Sequence, residues 1–262
     1  MKNFIYLALA LASLLSFASC GDEDEKEEQQ NIPNTPVPNE SVTEPEKITD
    51  PVKIIASGRV NVEDLHLIGL TGGTPVDLGL SVKWATHNVG ATECYDDGDY
   101  FAWGETKSKE LYSYDNCLTL GLFEELLSKS IIDKNGNLTP VNDAATANWG
   151  SKFRMPTREE YKELVDFCDW HRLTITVNSS PIKRIEGYYV KSKSNGNSIF
   201  FPAAGYFDTN YHNSPLSYAN YWCSTVDESN GIYAFCLYFN SNEKKTNFFK
   251  RELGLPVRAV EN

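Results

Sequence analysis

Alternation of apolar and polar residues in the second half of the chain predicts β-strands. Runs rich in aromatic and β-branched residues favour strands when turn-forming residues bound them. Asn195-Gly196 is a typical two-residue hairpin turn between two such runs. Six strands are predicted, at residues 173–177, 188–192, 198–202, 221–225, 232–240 and 255–260, with polar loops at 206–220 and 226–231.

The preceding part of the chain mixes strand and helix patterns. Apolar residues that recur with a period near 3.6 predict a helix over 118–132 and an amphipathic helix over 158–168. The remaining predicted elements are an irregular strand at 53–70, a turn at 72–75, paired strands within 76–86 on either side of Gly79, and a short strand at 100–104. Strands, then two helices, then strands predict an α+β domain with antiparallel sheets.

A short helix over residues 144–149 is predicted from its ends. Asn142 or Asp143 is placed to cap its start, and Gly150 to end it, because Gly adopts positive φ at little cost. Residues 133–137 (DKNGN) mimic part of a calcium loop, but Gly136 stands at the fourth position instead of the sixth and no Glu occupies the twelfth. We interpret them as a turn.

The next helix has a clear start signal. Pro156 keeps its predecessor out of helical conformation, and Thr157 with Glu160 forms a capping-box pattern. Arg154 beside this turn is expected to have a structural role, donating to backbone carbonyls, and Arg258 a similar role. A ligand contact is the alternative for both arginines.

The pattern of the first 52 residues predicts an export signal followed by a linker. Residues 1–19 have the positive start, apolar run and small-residue end of a signal peptide. The small residues before Cys20 resemble a bacterial lipobox, which implies acylation of Cys20 by lipid; a soluble secreted protein is the alternative. Residues 20–52 are acidic and Pro-rich, which predicts a disordered stalk.

The acidic run at residues 21–28 refines the predicted location. It resembles the export signal of Bacteroidetes surface lipoproteins, although a plain solvated linker is the alternative. These expectations place the chain in the outer membrane, lipid-anchored and facing the cell exterior. Residues 53–75 would be an N-terminal extension of the domain at 76–262.

The charge distribution argues against nucleic acid as a partner. The chain carries a net charge of −12, and residues 21–50 contribute −8 through ten acidic and two basic residues. With Lys2 counted separately, residues 51–262 carry −5 and show no basic stripe. A monomeric domain without a cofactor is expected.

Cysteine chemistry stays open at this point. Of six cysteines, five remain once Cys20 is assigned to lipid, and an odd number cannot all pair within one chain. Cys223 and Cys236 lie on predicted neighbouring strands, so they either form a disulfide or are small buried apolar residues. No C-x-x-C occurs, and no spacing resembles a zinc site.

Six phrases of the sequence are together similar to a known family. They are residues 76–86 (VDLGLSVKWAT), 98–105 (GDYFAWGE), 148–157 (NWGSKFRMPT), 197–206 (NSIFFPAAGY), 221–225 (YWCST) and 255–258 (LPVR). In this order they resemble the Fibrobacter succinogenes major paralogous domain family. The resemblance implies a C-type-lectin-like fold, related to the formylglycine-generating-enzyme domain, in which the first and last strands pair, two helices flank them and long loops display a binding surface.

The chain departs from that family in ways that limit what can be transferred. His87 and Cys223 stand where the family often has Cys and Ser, so a disulfide through position 87 is absent and Cys168 is left without that partner. The Glu-Pro-Asn and Gln-Pro-Asp triplets of calcium-dependent lectins are missing, and the oxidase Cys pair was not located. Neither a metal site nor catalysis is therefore predicted.

A non-catalytic binding or adhesion domain on the cell surface is the favoured function, with an extracellular glycan or protein as ligand. Tyr, Asn, Ser and His dominate the loop at 208–220, as in antibody paratopes. One alternative is a retroelement-diversified binding protein. An enzyme is another, although the four histidines (66, 87, 171 and 212) form no catalytic motif.

The expected ligand-binding residues lie in or beside the two polar loops. They are Asp208, Asn210, Tyr211, His212, Asn213, Tyr218, Asn220, Tyr221, Trp222, Asp227 and Asn230.

Overall fold

The computed structural model describes residues 47–70, 72–213 and 218–261. The signal peptide, Cys20 and most of the proposed stalk lie outside these residues. The α-helices are α1 (Pro51–Ser57), α2 (Phe123–Ser128), α3 (Ala144–Trp149) and α4 (Arg158–Phe167). Short 3-10 helices lie at Val62–Ile68, Tyr114–Asn116 and Pro140–Asn142.

Strands make up the rest of the regular structure. They are β1 (Arg59–Asn61), β2 (Val76–Asp77), β3 (Lys83–Asn88), β4 (Tyr100–Phe101), β5 (Phe153–Arg154), β6 (Cys168–Val177), β7 (Lys183–Ser192), β8 (Ser198–Pro202), β9 (Tyr206–Asp208), β10 (Tyr211–Asn213), β11 (Ala219–Val226), β12 (Tyr233–Phe239), β13 (Lys244–Lys250), β14 (Leu255–Pro256) and β15 (Arg258–Glu261). The predicted α+β class is confirmed.

The strands form several small sheets in which almost every pairing is antiparallel. Two four-stranded sheets have the orders β1-β6-β7-β8 and β2-β3-β15-β5, and a three-stranded sheet has the order β11-β12-β13. β9 pairs with β10 and β4 with β14, while β1 runs parallel to β6. Pairing of β3 with β15 brings the start and the end of residues 76–261 together.

The β11–β13 sheet lies at the centre of the core, with apolar side chains on both of its faces. Trp222 and Cys236 are directly opposite each other and pack in one core cluster with Trp103. Tyr221 and Leu237 are the next opposite pair and pack in a second cluster. Because side chains alternate between faces, β11 is buried almost throughout and shows no polar side.

Residues 53–70, predicted as irregular strand, are mostly helical, so that prediction was wrong. Asp50 accepts a hydrogen bond from the Val52 amide (2.9 Å) and Pro51 takes the first helical position, which starts α1 inside the proposed stalk. Gly58 and Gly69 end α1 and the following 3-10 helix in left-handed conformation. The short β1 between them joins the sheet of the main domain.

The helix predicted over 118–132 is much shorter, covering only α2. Leu118 and Leu122, which supplied the start of the apolar repeat, are 78% and 60% exposed. Gly121 has a φ of 138°, outside helical range, and its amide donates to the carbonyl of Gly231 (3.0 Å). Tertiary contacts thus hold this segment as a turn and a bend instead of a helix, while Leu126 is fully buried.

The ends of α3 and α4 follow the predicted signals. Asp143 accepts from the Thr146 amide (2.9 Å), and Gly150, with a φ of 86°, ends α3. The Thr157–Glu160 capping box is present at the start of α4. The strand predicted at 198–202 matches β8. No strand was predicted at the position of β13.

Candidate functional site

The predicted ligand-binding residues fall at the two ends of β11. Residues 208–218 precede the strand, and Asp227 and Asn230 follow it. A strand rises about 3.3 Å per residue, so the eight residues of β11 hold its ends roughly 25 Å apart. The predicted residues therefore do not form one continuous surface, and we describe the two ends separately as the hairpin end and the loop end.

Three predicted contact residues belong to the core instead. Asn220, Tyr221 and Trp222 are at most 1% exposed. The Tyr221 hydroxyl donates to the carbonyl of Pro202 (2.7 Å), and the Trp222 indole donates to the carbonyl of Phe101 (2.8 Å). Their polar atoms are satisfied inside the protein, as buried Tyr and Trp require, so they are corrected to scaffold residues.

The side chains of the hairpin formed by β9 and β10 lie on two different faces. Opposite pairs share a face, so Asp208 lies beside Tyr211 on one side and Phe207 beside His212 on the other. Tyr211 is 70% exposed, whereas the His212 ring stacks on Phe207 with centroids 4.6 Å apart. Nε2 of His212 lies 2.9 Å from the hydroxyl of Tyr100. His212 therefore anchors the hairpin instead of facing a ligand.

The tip of this hairpin has unusual backbone geometry. Thr209 has a φ of 57°, which is costly for a β-branched residue, and Asn210 beside it is exposed. Two hydrogen bonds hold Thr209 in place: its amide donates to the carbonyl of Tyr112 (2.9 Å), and the Tyr112 amide donates to its carbonyl (2.8 Å). The tip is thus fixed against the core.

A row of half-buried aromatic rings runs from the hairpin onto the edge of the central sheet. The Tyr206 and Tyr218 rings are 6.2 Å apart between centroids, and Tyr218 and Tyr238 are 6.5 Å apart. Tyr206 also makes an edge contact with Phe249 at 5.0 Å. We call these four residues the tyrosine strip.

Amide and ammonium groups border the tyrosine strip. Nδ2 of Asn213 donates to the Tyr206 hydroxyl (3.0 Å), and Nδ2 of Asn240 donates to the Tyr238 hydroxyl (2.6 Å). Nζ of Lys245 lies 5.8 Å from the Tyr238 ring centroid. The strip combines apolar ring faces with fixed hydroxyls and amides, a composition that suits an amphipathic or polyhydroxylated ligand.

Burial keeps the hydroxyl of Tyr218 uncharged. Desolvation raises the pKa of Tyr218, and the neighbouring Tyr206 hydroxyl raises it further. Among the described residues, no group of three or more His, Cys, Asp or Glu side chains could hold a metal ion. The groups at this surface can bind and orient a ligand, and none is arranged as a nucleophile with its base.

At the loop end, the two predicted residues hold their own loop. Asp227 accepts from the amide and the hydroxyl of Ser229 (3.0 and 2.7 Å). Oδ1 of Asn230 accepts from the Ile232 amide (3.1 Å). These are local turn contacts typical of Asp and Asn, and Asp227 also lines an open cleft beside α4.

The two arginines expected to be structural are bonded within the protein. The guanidinium of Arg154 donates to both oxygens of Glu160 (2.8 and 2.5 Å) and to the carbonyl of Met155. Burial acts to raise the pKa of Glu160, but the hydrogen bonds from Arg154 and from the Thr157 amide outweigh it and leave the pKa lowered.

Arg258 is fully buried and donates to acceptors on two sheets. They are Oδ1 of Asn88 (2.8 Å) and the carbonyls of Ala85 (3.2 Å), Thr86 (3.2 Å) and Phe200 (2.9 Å). The guanidinium also lies over the Phe201 ring. Arg258 thereby connects β3 to β8.

A third structural arginine, Arg251, was not predicted because it stands in a charged run, residues 250–252. It is fully buried under Trp103 and donates to four carbonyls of the loop end. These acceptors are Thr119 (3.0 Å), Gly121 (3.0 Å), Asn230 (3.3 Å) and Tyr233 (2.8 Å). Burial lowers the pKa of Arg251 to about 10.

Of the two alternatives for Cys223 and Cys236, a disulfide or two buried apolar residues, the structure has the second. Cys236 shares a face with Trp222, its opposite residue, and Cys223 is therefore on the other face of the sheet. All five cysteines within the described residues are free. Burial raises the pKa of Cys223 to about 12, so this thiol is an apolar core group.

Comparison of the chain with models of known protein families, with curated proteins and with solved structures found no match. Within the part of the chain that the structure describes, no helix is long and apolar enough to cross a membrane.

Proposed function

We propose that the chain is a cell-surface lipoprotein, anchored through Cys20, whose domain binds an extracellular glycan without catalysis. The observation that carries this proposal is the tyrosine strip with its bordering amides. The C–H faces of sugar rings pack on exposed aromatic rings, while sugar hydroxyls take hydrogen bonds from fixed amide and phenol groups.

The proposal includes membership of the Fibrobacter succinogenes major paralogous domain family and its C-type-lectin-like fold. Two features of the scaffold support it. β3, near the start of residues 76–261, pairs with β15 at their end, which agrees with the strand pairing expected of such a fold. The tryptophans of three family phrases, Trp84, Trp103 and Trp222, are fully buried, which accounts for their place in a scaffold signature.

A glycan array probed with residues 47–262 tests the proposal, followed by titration of each hit. Tyr218→Ala should weaken binding at least tenfold because it removes the middle ring of the strip. Tyr233→Ala is the matched control: Tyr233 is also half-buried and lies on β12, but its ring is on the opposite face of the sheet, against Phe248. It should bind within twofold of the unmodified protein.

Two outcomes would contradict the proposal. If both variants bound the glycan equally well, the tyrosine strip would not be the binding site. If no glycan on the array bound and a pull-down captured one envelope protein only when Tyr218 was present, the ligand of the strip would be a protein. The anchor is tested separately, because Cys20→Ser should move the full chain from the membrane to the soluble fraction.

A further inference from the structure

The open cleft at the loop end is a second concave surface, separate from the tyrosine strip. It has a volume of about 590 Å³ and lies between the turn at residues 133–137, the end of β11 and the first turn of α4. A neighbouring cavity of about 420 Å³ shares two of its lining residues, Asn137 and Thr157. The space is large enough for a monosaccharide or a disaccharide.

The walls of this cleft are fixed by hydrogen bonds. Oγ1 of Thr225 accepts from the Arg158 amide (3.0 Å) and donates to Oδ1 of Asn137 (2.8 Å). The Val226 amide donates to the carbonyl of Gly136 (2.9 Å). The three elements that form the cleft are thus held together before any ligand arrives, which lowers the ordering cost of binding.

Arg158 is the cation of this cleft. Its guanidinium carbon lies 4.0 Å from the centroid of the Phe235 ring, in a stacked position that fixes the orientation of the planar group. Among the described residues, its buried Nε has no hydrogen-bond partner. Arg154, Arg251 and Arg258 each have several acceptors, so this lack of partners sets Arg158 apart.

Among the described residues, the arginine ion pairs are those of Arg154 and Arg172, and none involves Arg158. Asp227 is bonded to Ser229, and Glu159 pairs with Lys162 (2.8 Å). Glu228 is exposed at the rim. A guanidinium with free donors and a planar, fixed orientation matches the two oxygens of a carboxylate.

We propose that this cleft binds the carboxylate of an acidic sugar, with the guanidinium of Arg158 as its bidentate partner. The sugar part follows from the lining, in which short hydroxyl and amide side chains outnumber apolar ones; Asn135, Asn137, Thr157, Thr225 and Ser229 can bond to ring hydroxyls. This site does not depend on the tyrosine strip.

Galacturonate and galactose are the matched pair of probes, since they differ only at C6. Titration calorimetry with residues 47–262 should show binding of galacturonate and at least tenfold weaker binding of galactose. Arg158→Gln should weaken galacturonate binding at least tenfold, and Arg158→Lys should recover only part of it because an ammonium cannot form the paired bonds. Arg184→Gln, at an exposed arginine on β7, should change nothing.

Two further variants make the test independent of folding defects. Glu228→Gln should strengthen galacturonate binding a few-fold by removing a like charge at the rim, which no unfolded variant can do. Tyr218→Ala should leave galacturonate binding unchanged. Failure of the proposal for the cleft is therefore distinguishable from failure of the proposal for the tyrosine strip.

The proposal is overturned if galactose binds as well as galacturonate or if Arg158→Gln binds normally. Preference for a sulfated sugar or for an acidic peptide over galacturonate would overturn the assignment of the ligand.

Discussion

The two ends of β11 carry segments of similar composition but differ in what their side chains leave available. At the hairpin end, Tyr206, Tyr218 and Tyr238 present half-buried rings, and amides hold the hydroxyls of Tyr206 and Tyr238. At the loop end, the open cleft contains Arg158, which has an unpartnered Nε. The hairpin end offers aromatic rings on which a ligand can pack. The loop end offers a guanidinium that has no ion-pair partner among the described residues.

The difference shows why loop composition alone does not locate a site. Both segments contain Asn, Asp and Ser, and only β11 separates them in sequence. The strand between them places them roughly 25 Å apart, so they act as independent surfaces. The following predictions test that independence.

The largest expected effect is at the loop end, from Arg251→Met. The change leaves one buried and three partly buried carbonyl bonds without their donor, and because each unsatisfied buried acceptor costs about 1–3 kcal/mol, we expect a total loss of about 3–5 kcal/mol. Urea unfolding measures this loss. Hydrogen exchange should increase at residues 119–121 and 230–233 and stay unchanged at the hairpin; equal increases at both ends would show that they are coupled.

At the hairpin end, Gly254→Ala should cost about 1–3 kcal/mol through overpacking. A Cβ on Gly254 would lie 2.7 Å from the Tyr112 ring, and Gly254 exchanges two hydrogen bonds with Phe207. Urea unfolding with Gly72→Ala as control checks the cause, because a Cβ on Gly72 meets no atom within 4 Å. A hairpin that exchanges no faster in the Gly254 variant would contradict the expectation.

Beside the cleft, Thr157→Ala should cost about 1 kcal/mol by removing the cap of α4. Thr157→Ser keeps the hydroxyl and should retain most of the stability in thermal unfolding. If the alanine variant is also unchanged, the capping box contributes nothing measurable and the start of α4 is held by Arg158 and Thr225 alone.

The smallest effect is a gain at the hairpin tip. Thr209→Gly relieves a left-handed conformation that costs about 1–2 kcal/mol in a non-glycine residue, against a loss near 1 kcal/mol for the added chain entropy. A net gain of up to about 1 kcal/mol is expected in urea unfolding. Thr209→Val keeps the branched Cβ and should give no gain; stabilisation by both variants would rule out backbone strain as the cause.

Local signals in the sequence predicted local structure well. The Thr157–Glu160 box, Asp143 as a cap, Gly150 as a stop and the strand at 198–202 depend on neighbouring residues, and all are present. The same kind of signal was available for α1, in the Asp50-Pro51 pair with Gly58 eight residues on, but was missed.

Features set by distant contacts could not be predicted. The apolar repeat at 118–132 fails at its start because Arg251 and Gly231, far along the chain, bind residues 119–121. Tyr221 and Trp222 look like exposed contact residues beside a polar loop, since a strand buried on both faces has no alternation to reveal it. Arg158 likewise lies in a cleft only because the turn at 133–137, β11 and α4 meet there, and these elements are far apart in sequence.

The place of β15 in its sheet has a consequence for how the protein is made. β15 lies between β3 and β5, and Arg258 bonds to Asn88 across 170 residues of sequence. The sheet therefore cannot close until residue 261 has been synthesised, and contacts of such long range make folding slow. A chain whose last strand completes this sheet therefore finishes folding only after its synthesis has ended.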